Sequence, residues 1–136
     1  MEEASNNLTL DQILTQLNQT WEDIATIKLE INGIEQETLA QDSILMATFS
    51  ELFSELTFNA IKHGSAKSVE FTISKIEDNI ITLNCSDNGT RPPDSSRVGL
   101  GTRLLDECAL SWNRQSTDSG TTTILQLPFA TKAQTT

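Results

Sequence analysis

One long segment of helical period, roughly residues 37–63, lies between segments that alternate apolar and polar side chains at every second residue. Its second half constrains the fold more than any other feature. Leu45, Phe49, Leu52 and Leu56 recur at three- and four-residue intervals, which lays them along one helix face and requires a core for that face to cover. In Glu55-Leu-Thr-Phe-Asn59-Ala-Ile-Lys62-His63-Gly64, the residues Glu55, Asn59, Lys62 and His63 stand at i, i+4, i+7 and i+8. They form a polar stripe beside apolar Leu52, Leu56, Ala60 and Ile61. The fold must bury one side of this helix and keep a carboxylate, a carboxamide and a cation together on another. Gly64 stands where a helix-ending C′ glycine belongs.

The flanking segments set the architecture. Thr9 and Gln12 form a capping-box pattern for a helix over about 10–22, with Leu10, Ile13, Leu14, Leu17 and Trp21 on one face. Ile27, Leu29 and Ile31 alternate with Lys28 and Glu30, which predicts a half-buried strand ending at Asn32-Gly33. Val69, Phe71 and Ile73, then Ile81, Leu83 and Cys85, alternate on either side of Glu77-Asp78-Asn79 and predict a hairpin. A loop over 90–98 containing Pro92-Pro93 leads to a helix over about 100–109. Two strands, around 110–116 and 121–127, then flank a turn at Asp118-Ser-Gly120. This order predicts an α+β fold, a two-layer sandwich whose mixed, mostly antiparallel sheet carries helices on one face. At 136 residues the chain reads as one domain over 1–136, with an ordered core of about 9–128 between polar tails at 1–8 and 129–136.

A formal net charge of −10 argues against nucleic acid or an anionic membrane as the main partner. Any anionic ligand must therefore be met by local charge opposed to the global field. Of nine basic residues, Lys62, Arg91, Arg97 and Arg103 fall within or beside the motifs, although each arginine alone equally suits a solvated surface. Cys85 and Cys108 have no metal-ligand spacing and read as reduced structural thiols of a cytoplasmic chain. No apolar run approaches the roughly 18 residues that span a bilayer, and Met-Glu-Glu lacks a basic leader.

Each polar motif has a chemistry that suits it. The carboxamide oxygen of Asn59 suits Mg²⁺, which takes oxygen ligands and keeps several waters; an exposed helical Asn is the alternative. Glu55, one turn earlier, can accept or orient the proton of an attacking hydroxyl, imidazole or water. Lys62 offers a point charge to phosphate. His63 either touches ribose or phosphate or is a helix-terminal His favoured by the dipole. Asp87-Asn-Gly89 ends a strand, where an ionised Asp accepts from adenine's exocyclic amine and repels guanine's carbonyl. Gly89 allows close backbone approach or a positive φ. Gly99-Leu100-Gly101-Thr102 opens a helix whose free N–H groups can face phosphates. Taken singly, the triplets are common turns; their order gives them weight.

That order, Glu-x₃-Asn, a hairpin, Asp-x-Gly at a strand end and Gly-x-Gly at a helix start, resembles the N, G1 and G2 boxes of the GHKL ATPase superfamily over about residues 10–128. The resemblance implies the Bergerat ATP-binding fold, with ATP and Mg²⁺ as cofactors and nucleotide between the helices and a lid. It implies Glu55 as the catalytic acid–base residue, Asn59 as the Mg²⁺ ligand, and Lys62 and His63 at the phosphates or ribose. Asp87 and Gly89 match the adenine-reading pair. Gly99, Leu100, Gly101 and Thr102 match the lid-flanking segment. Thr121, in Gly120-Thr-Thr-Thr-Ile-Leu-Gln-Leu-Pro128, matches a Thr beside the adenine-binding Asp. Arg91 departs from the pattern, since it occupies the second glycine position of Asp-x-Gly-x-Gly in the ATP site. The lid, Thr90 to Val98, is short and holds no F-box phenylalanine.

Among the branches, histidine-kinase catalytic domains resemble this chain most. The interval between Ile31 and Glu55 has room for one helix, whereas anti-sigma-factor serine kinases typically place two there. The implied function is to supply the γ-phosphate of Mg-ATP for histidine phosphorylation in two-component signalling. The only histidine, His63, lies inside the ATP motif. The acceptor therefore belongs to a dimerisation and phospho-acceptor domain or response regulator, and the isolated chain is expected to be inactive as an autokinase. It is either cytoplasmic on its own or the cytoplasmic part of a larger sensor. Two alternatives stay open: a stand-alone anti-sigma-type serine kinase, and a regulatory module with weak or no nucleotide binding, which Arg91 favours.

Overall fold

The computed structural model describes residues 9–90 and 100–129. Helix α1 (Leu10–Thr20) starts as its sequence dictates: the Gln12 N–H donates to Thr9 Oγ1 at 3.1 Å and the Thr9 N–H to Gln12 Oε1 at 3.0 Å. Leu10, Ile13 and Leu17 are buried. Asn18 then reaches strand β1 (Thr26–Asn32). Its Nδ2 donates to the Ile27 carbonyl and its Oδ1 accepts the Ile27 N–H, both at 3.0 Å, so one side chain imitates a neighbouring strand.

The long helical period after β1 is two helices, α2 (Gln36–Ala40) and α3 (Ser43–Gly64). Asp42 breaks it: its backbone is extended and its Oδ1 accepts the Leu45 N–H at 3.0 Å as an N-cap. The interval before Glu55 thus holds two helices rather than one, which removes the spacing contrast with anti-sigma kinases. The end of α3 also differs from expectation. Gly64 is the last helical residue and Ser65 takes the left-handed cap position at φ 56°. A non-glycine there costs roughly 1 kcal/mol, and the reason glycine stands one place earlier lies in the functional site.

Strands β2 (Ser68–Glu77) and β3 (Ile80–Asp87) form the hairpin, followed by α4 (Leu100–Cys108), β4 (Ser111–Thr117) and β5 (Gly120–Pro128). The sheet order is β1-β2-β3-β5-β4, with β1 parallel to β2 and all other pairs antiparallel. Alternation buries one face only: Val69, Phe71 and Ile73, Ile81, Leu83 and Cys85, and Thr121, Thr123, Leu125 and Leu127. Against them α3 lays Phe49, Leu52, Phe53 and Leu56, with the Phe53 and Phe71 rings stacked 4.1 Å apart. Phe129 belongs to this core rather than to a tail; it is buried, and its N–H donates to the Asn79 carbonyl at 2.8 Å.

Thr57 sits on the core side of α3, fully buried, and its hydroxyl makes no hydrogen bond among the described residues. Thr57→Val keeps the shape and removes the unsatisfied hydroxyl, so unfolding free energy in urea should rise by about 1 kcal/mol. A loss of stability would mean that the hydroxyl is satisfied.

Candidate functional site

The tip of β3 is bound to the end of α3. Asn88 Oδ1 accepts the N–H groups of Lys67 (2.8 Å) and Ser68 (3.0 Å), and the Asn88 N–H donates to the Ser68 carbonyl at 3.2 Å. The Thr90 N–H donates to the Gly64 carbonyl at 2.8 Å. Between them Gly89 passes so close to the helix that a Cβ would stand 2.5 Å from the Gly64 oxygen and 2.9 Å from its carbonyl carbon. This contact explains the displaced glycine at the helix end: two backbones meet here, and Gly64 is buried. The Gly89 N–H also donates to Asp87 Oδ1 at 2.9 Å, a short-range Asx bond that holds the carboxylate at the strand tip.

Asp87 stands in a row that crosses the sheet. It pairs with Val69 on β2 and with Thr121 on β5, and Thr121 pairs with Ser116 on β4. Directly opposed residues point to the same side, here the buried, helix-bearing one. Thr121 is 2% exposed and its Oγ1 lies 3.0 Å from Ser116 Oγ. The neighbouring Gly120 has φ +156°, and a Cβ on it would overlap the Asp87 carbonyl oxygen, so glycine is required there too. The next row is Cys85, Thr123 and Arg114. Arg114 Nε donates to Thr123 Oγ1 at 3.3 Å, and its guanidinium lies 5.5 Å from the Trp112 ring centroid. Trp112 Nε1 in turn donates to Asp106 of α4 at 2.7 Å.

The predicted stripe on α3 divides. Glu55 and Asn59 are half-buried at its flank, whereas Lys62 and His63 are exposed. At about 1.5 Å rise per residue, Asn59 lies roughly 7.5 Å along the axis from Gly64 and the strand tip bound there. Exposed Phe58 holds the neighbouring surface, with Trp21 and His63 packed edge-on at 6.2 and 6.3 Å. An open cleft of about 560 Å³ between α3 and α4 is lined by Ser50, Glu51, Ser54, Glu55, Phe58 and Leu104. Its wall is acidic. Burial, and then the charges of Glu51 and Glu107, push the Cys108 thiol of α4 above its ordinary range, so it is a poor nucleophile. Both cysteines are free. A second cavity of about 300 Å³, beside Ile44 and Phe129, contains no motif residue.

Arg91 and Gly99 lie outside the described residues, and Leu100, Gly101 and Thr102 are described only as the backbone of the first turn of α4. The tip carrying Asp87 and Gly89 is joined to the end of α3, with Thr121 paired to Asp87 on β5; Glu55 faces the α3–α4 cleft. The contribution of β4 was not anticipated. Trp112, Arg114 and Ser116 alternate in register with the closing Thr-rich strand, a pairing that no residue of β4 alone signals. Among the described residues no group of three or more His, Cys, Asp and Glu side chains could enclose a metal, and no helix is long and apolar enough to cross a membrane.

No protein-family model matches the sequence, and no curated protein matches it. Solved structures do match the fold. The blue-light activated histidine kinase EL346 of Erythrobacter litoralis superposes with a TM-score of 0.67 at 18% identity, over 93% of this chain and 45% of that one. The ATP binding domain of PrrB from Mycobacterium tuberculosis gives 0.63 at 19% identity, over 90% of this chain and 92% of that one. Full-length ShkA in complex with AMPPNP gives 0.61 at 17% identity, over 92% of this chain and 31% of that one. The chain thus spans about half the length of the EL346 kinase and nearly all of the PrrB domain. Its α+β sandwich is the Bergerat fold of histidine-kinase ATP-binding domains.

Proposed function

We propose that this chain is a GHKL-type domain that binds Mg-ATP and presents the γ-phosphate to a histidine of a partner. The observation that carries the reading is the joint between Gly89, Thr90 and Gly64, which seats the carboxylate of Asp87 at the end of the helix bearing Glu55 and Asn59. A carboxylate at one end and a carboxamide roughly one and a half turns up the helix suit the base and the phosphates of one nucleotide. The AMPPNP held by the ShkA structure of like fold supports a nucleotide as the ligand.

The donor set fits Mg²⁺ as an ion shared with phosphate. Asn59 and Glu55 offer oxygens from adjacent turns, and the cleft's Glu51 and Glu55 would repel a bare triphosphate. When bound, Mg²⁺ would neutralise phosphate charge and align the transferring group. The chain's own residues do the rest. Lys62 adds a solvent-side positive charge, Asp87 with Gly89 selects the base, and Glu55 accepts or orients the proton of the acceptor imidazole. Leu100–Thr102, as a helix N-terminus, directs N–H groups towards phosphate. Arg91 and Gly99 complete the lid in this reading, and Thr121 stands behind Asp87. Together these residues form one cytoplasmic kinase domain.

The test combines the chain with labelled Mg-ATP and a phospho-acceptor His domain, or with a response regulator. Acid-labile label on the His domain supports the proposal. Two helices between β1 and Glu55 favour a second reading, an anti-sigma-type serine kinase, for which acid-stable phosphoserine on a small antagonist protein is the expected product. Asp87→Asn converts an acceptor-only carboxylate into a group that also donates. ATP affinity measured by calorimetry should fall tenfold or more, and the preference over GTP should disappear, since a hydrogen bond to a charged group contributes about 1.5–3 kcal/mol. Intact selectivity would place base recognition elsewhere.

A further inference from the structure

We infer that Asp106 and Trp112 are positioning residues that set the affinity for the phosphates, because the hydrogen bond between them fixes the tilt of α4 against the sheet. The inference rests on the nucleotide-binding function proposed above, in which the first turn of α4 faces phosphate. α4 leaves the sheet at a tight corner. The Ala109 N–H donates to the Leu105 carbonyl at 3.0 Å and the Leu110 N–H to the Gln126 carbonyl at 2.7 Å, so the C-terminal end of the helix is tied by its backbone. Leu105 is fully buried and pins the helix to the core. These points hold one end of α4 and leave its tilt to side chains. At about 1.5 Å rise per residue the first turn stands roughly 9 Å beyond Asp106, so a tilt of about 10° there displaces its N–H groups by roughly 1.5 Å. That is enough to break a hydrogen bond to phosphate, which weakens beyond about 3.2 Å.

The bond that sets the tilt is short. Trp112 Nε1 donates to Asp106 Oδ1 at 2.7 Å, and the acceptor is a carboxylate. The indole is itself held. Its body packs against the core, and the Arg114 guanidinium lies 5.5 Å from its ring centroid. Arg114 Nε donates in turn to Thr123 Oγ1 of β5 at 3.3 Å, and Thr123 is buried. The tilt of α4 is thereby referred to β5, the strand that pairs with the one carrying Asp87. On the α3 side, Glu51 of α3 and Glu107 of α4 both raise the Cys108 thiol, so like charges stand on both sides of the α3–α4 junction and work against that contact. Neither Asp106 nor Trp112 touches the nucleotide in this scheme; they act through the backbone of α4.

The experiment compares Mg-ATP with adenosine, which lacks every phosphate, by calorimetry on the whole chain. Asp106→Ala and Trp112→Phe should each weaken Mg-ATP roughly tenfold, the low end of what a hydrogen bond to a charged group contributes, and leave adenosine within about twofold. The sign is diagnostic for Asp106. Losing an acidic charge from a chain of net charge −10 should, by Coulomb's law alone, tighten a triphosphate. Asp106→Asn, which keeps an acceptor oxygen without the charge, should recover most of the Mg-ATP affinity. The double variant, Asp106→Ala with Trp112→Phe, should lose no more than either single one. Equal losses for Mg-ATP and adenosine would mean a merely structural role and overturn the inference. So would unchanged Mg-ATP affinity, or losses that add in the double variant. If the unaltered chain prefers Mg-ATP to adenosine and the variants leave that preference unchanged, only this inference falls; if the unaltered chain shows no such preference, the phosphate-facing reading of α4 falls with it.

Discussion

Replacing Asn59 by alanine is expected to lower Mg²⁺-dependent ATP turnover by roughly 100-fold or more, the upper range for disturbing a metal's ligand environment. The folded state should remain, because Asn59 sits at the flank of α3 beside its buried face and alanine is the better helix former by about half a kcal/mol. A protein that still unfolds cooperatively, together with lost Mg²⁺-dependent nucleotide binding in calorimetry, is the predicted pair of results. Unchanged affinity with Mg²⁺ present would remove Asn59 from the metal's surroundings. The Glu55 carboxylate one turn away would then be the nearest remaining oxygen donor on that flank.

Gly89→Ala should be the most damaging single methyl in the site. The added carbon meets the Gly64 oxygen at 2.5 Å, the Gly64 carbonyl carbon at 2.9 Å and the Ala66 nitrogen at 3.1 Å, all backbone atoms with no rotamer by which to move aside. Overpacking of this kind costs about 1–3 kcal/mol, and the upper end is expected because either a helix end or a strand tip must shift. Urea unfolding measures that loss. The same shift carries Asp87 away from α3, so adenine nucleotide affinity should fall tenfold or more even at temperatures where the variant is folded. Gly33→Ala is the control. Its φ is +80° but a Cβ there meets only Lys75 atoms at 3.8–3.9 Å, so about 1 kcal/mol and no change in nucleotide affinity are expected.

Local chemistry was legible wherever the determining residues are neighbours in the chain. The Thr9–Gln12 capping box, the Asp78-Asn79 hairpin turn and the alternation of β2, β3 and β5 all follow from residues a few positions apart. The missed features depend on distant contacts. The apolar period runs through Leu39 and Leu45 without a gap, so α2 and α3 read as one helix unless Asp42 is recognised as a cap. Gly64 reads as a helix stop. Its actual constraint, the approach of Gly89, comes from 25 positions downstream, and the left-handed turn passes to Ser65. The strand tip that carries Asp87 and Gly89 does lie against the end of α3, and Thr121 pairs with Asp87 across the sheet. Ser116 and Arg114 could not be singled out, because nothing in β4 alone tells which of its faces lies beside Asp87 until the strand order β3-β5-β4 is known.

The side chain of Asn18 has a consequence for how this molecule avoids its own kind. β1 borders the sheet, and a bordering strand offers its outward backbone groups as a template on which a stranger's chain can grow. Both backbone groups of Ile27 are already occupied by the amide of Asn18. An intruding strand would find the first rung of the ladder taken, and the charges of Lys28 and Glu30 beyond it. At this border one carboxamide therefore closes the first rung on which a foreign strand could be added.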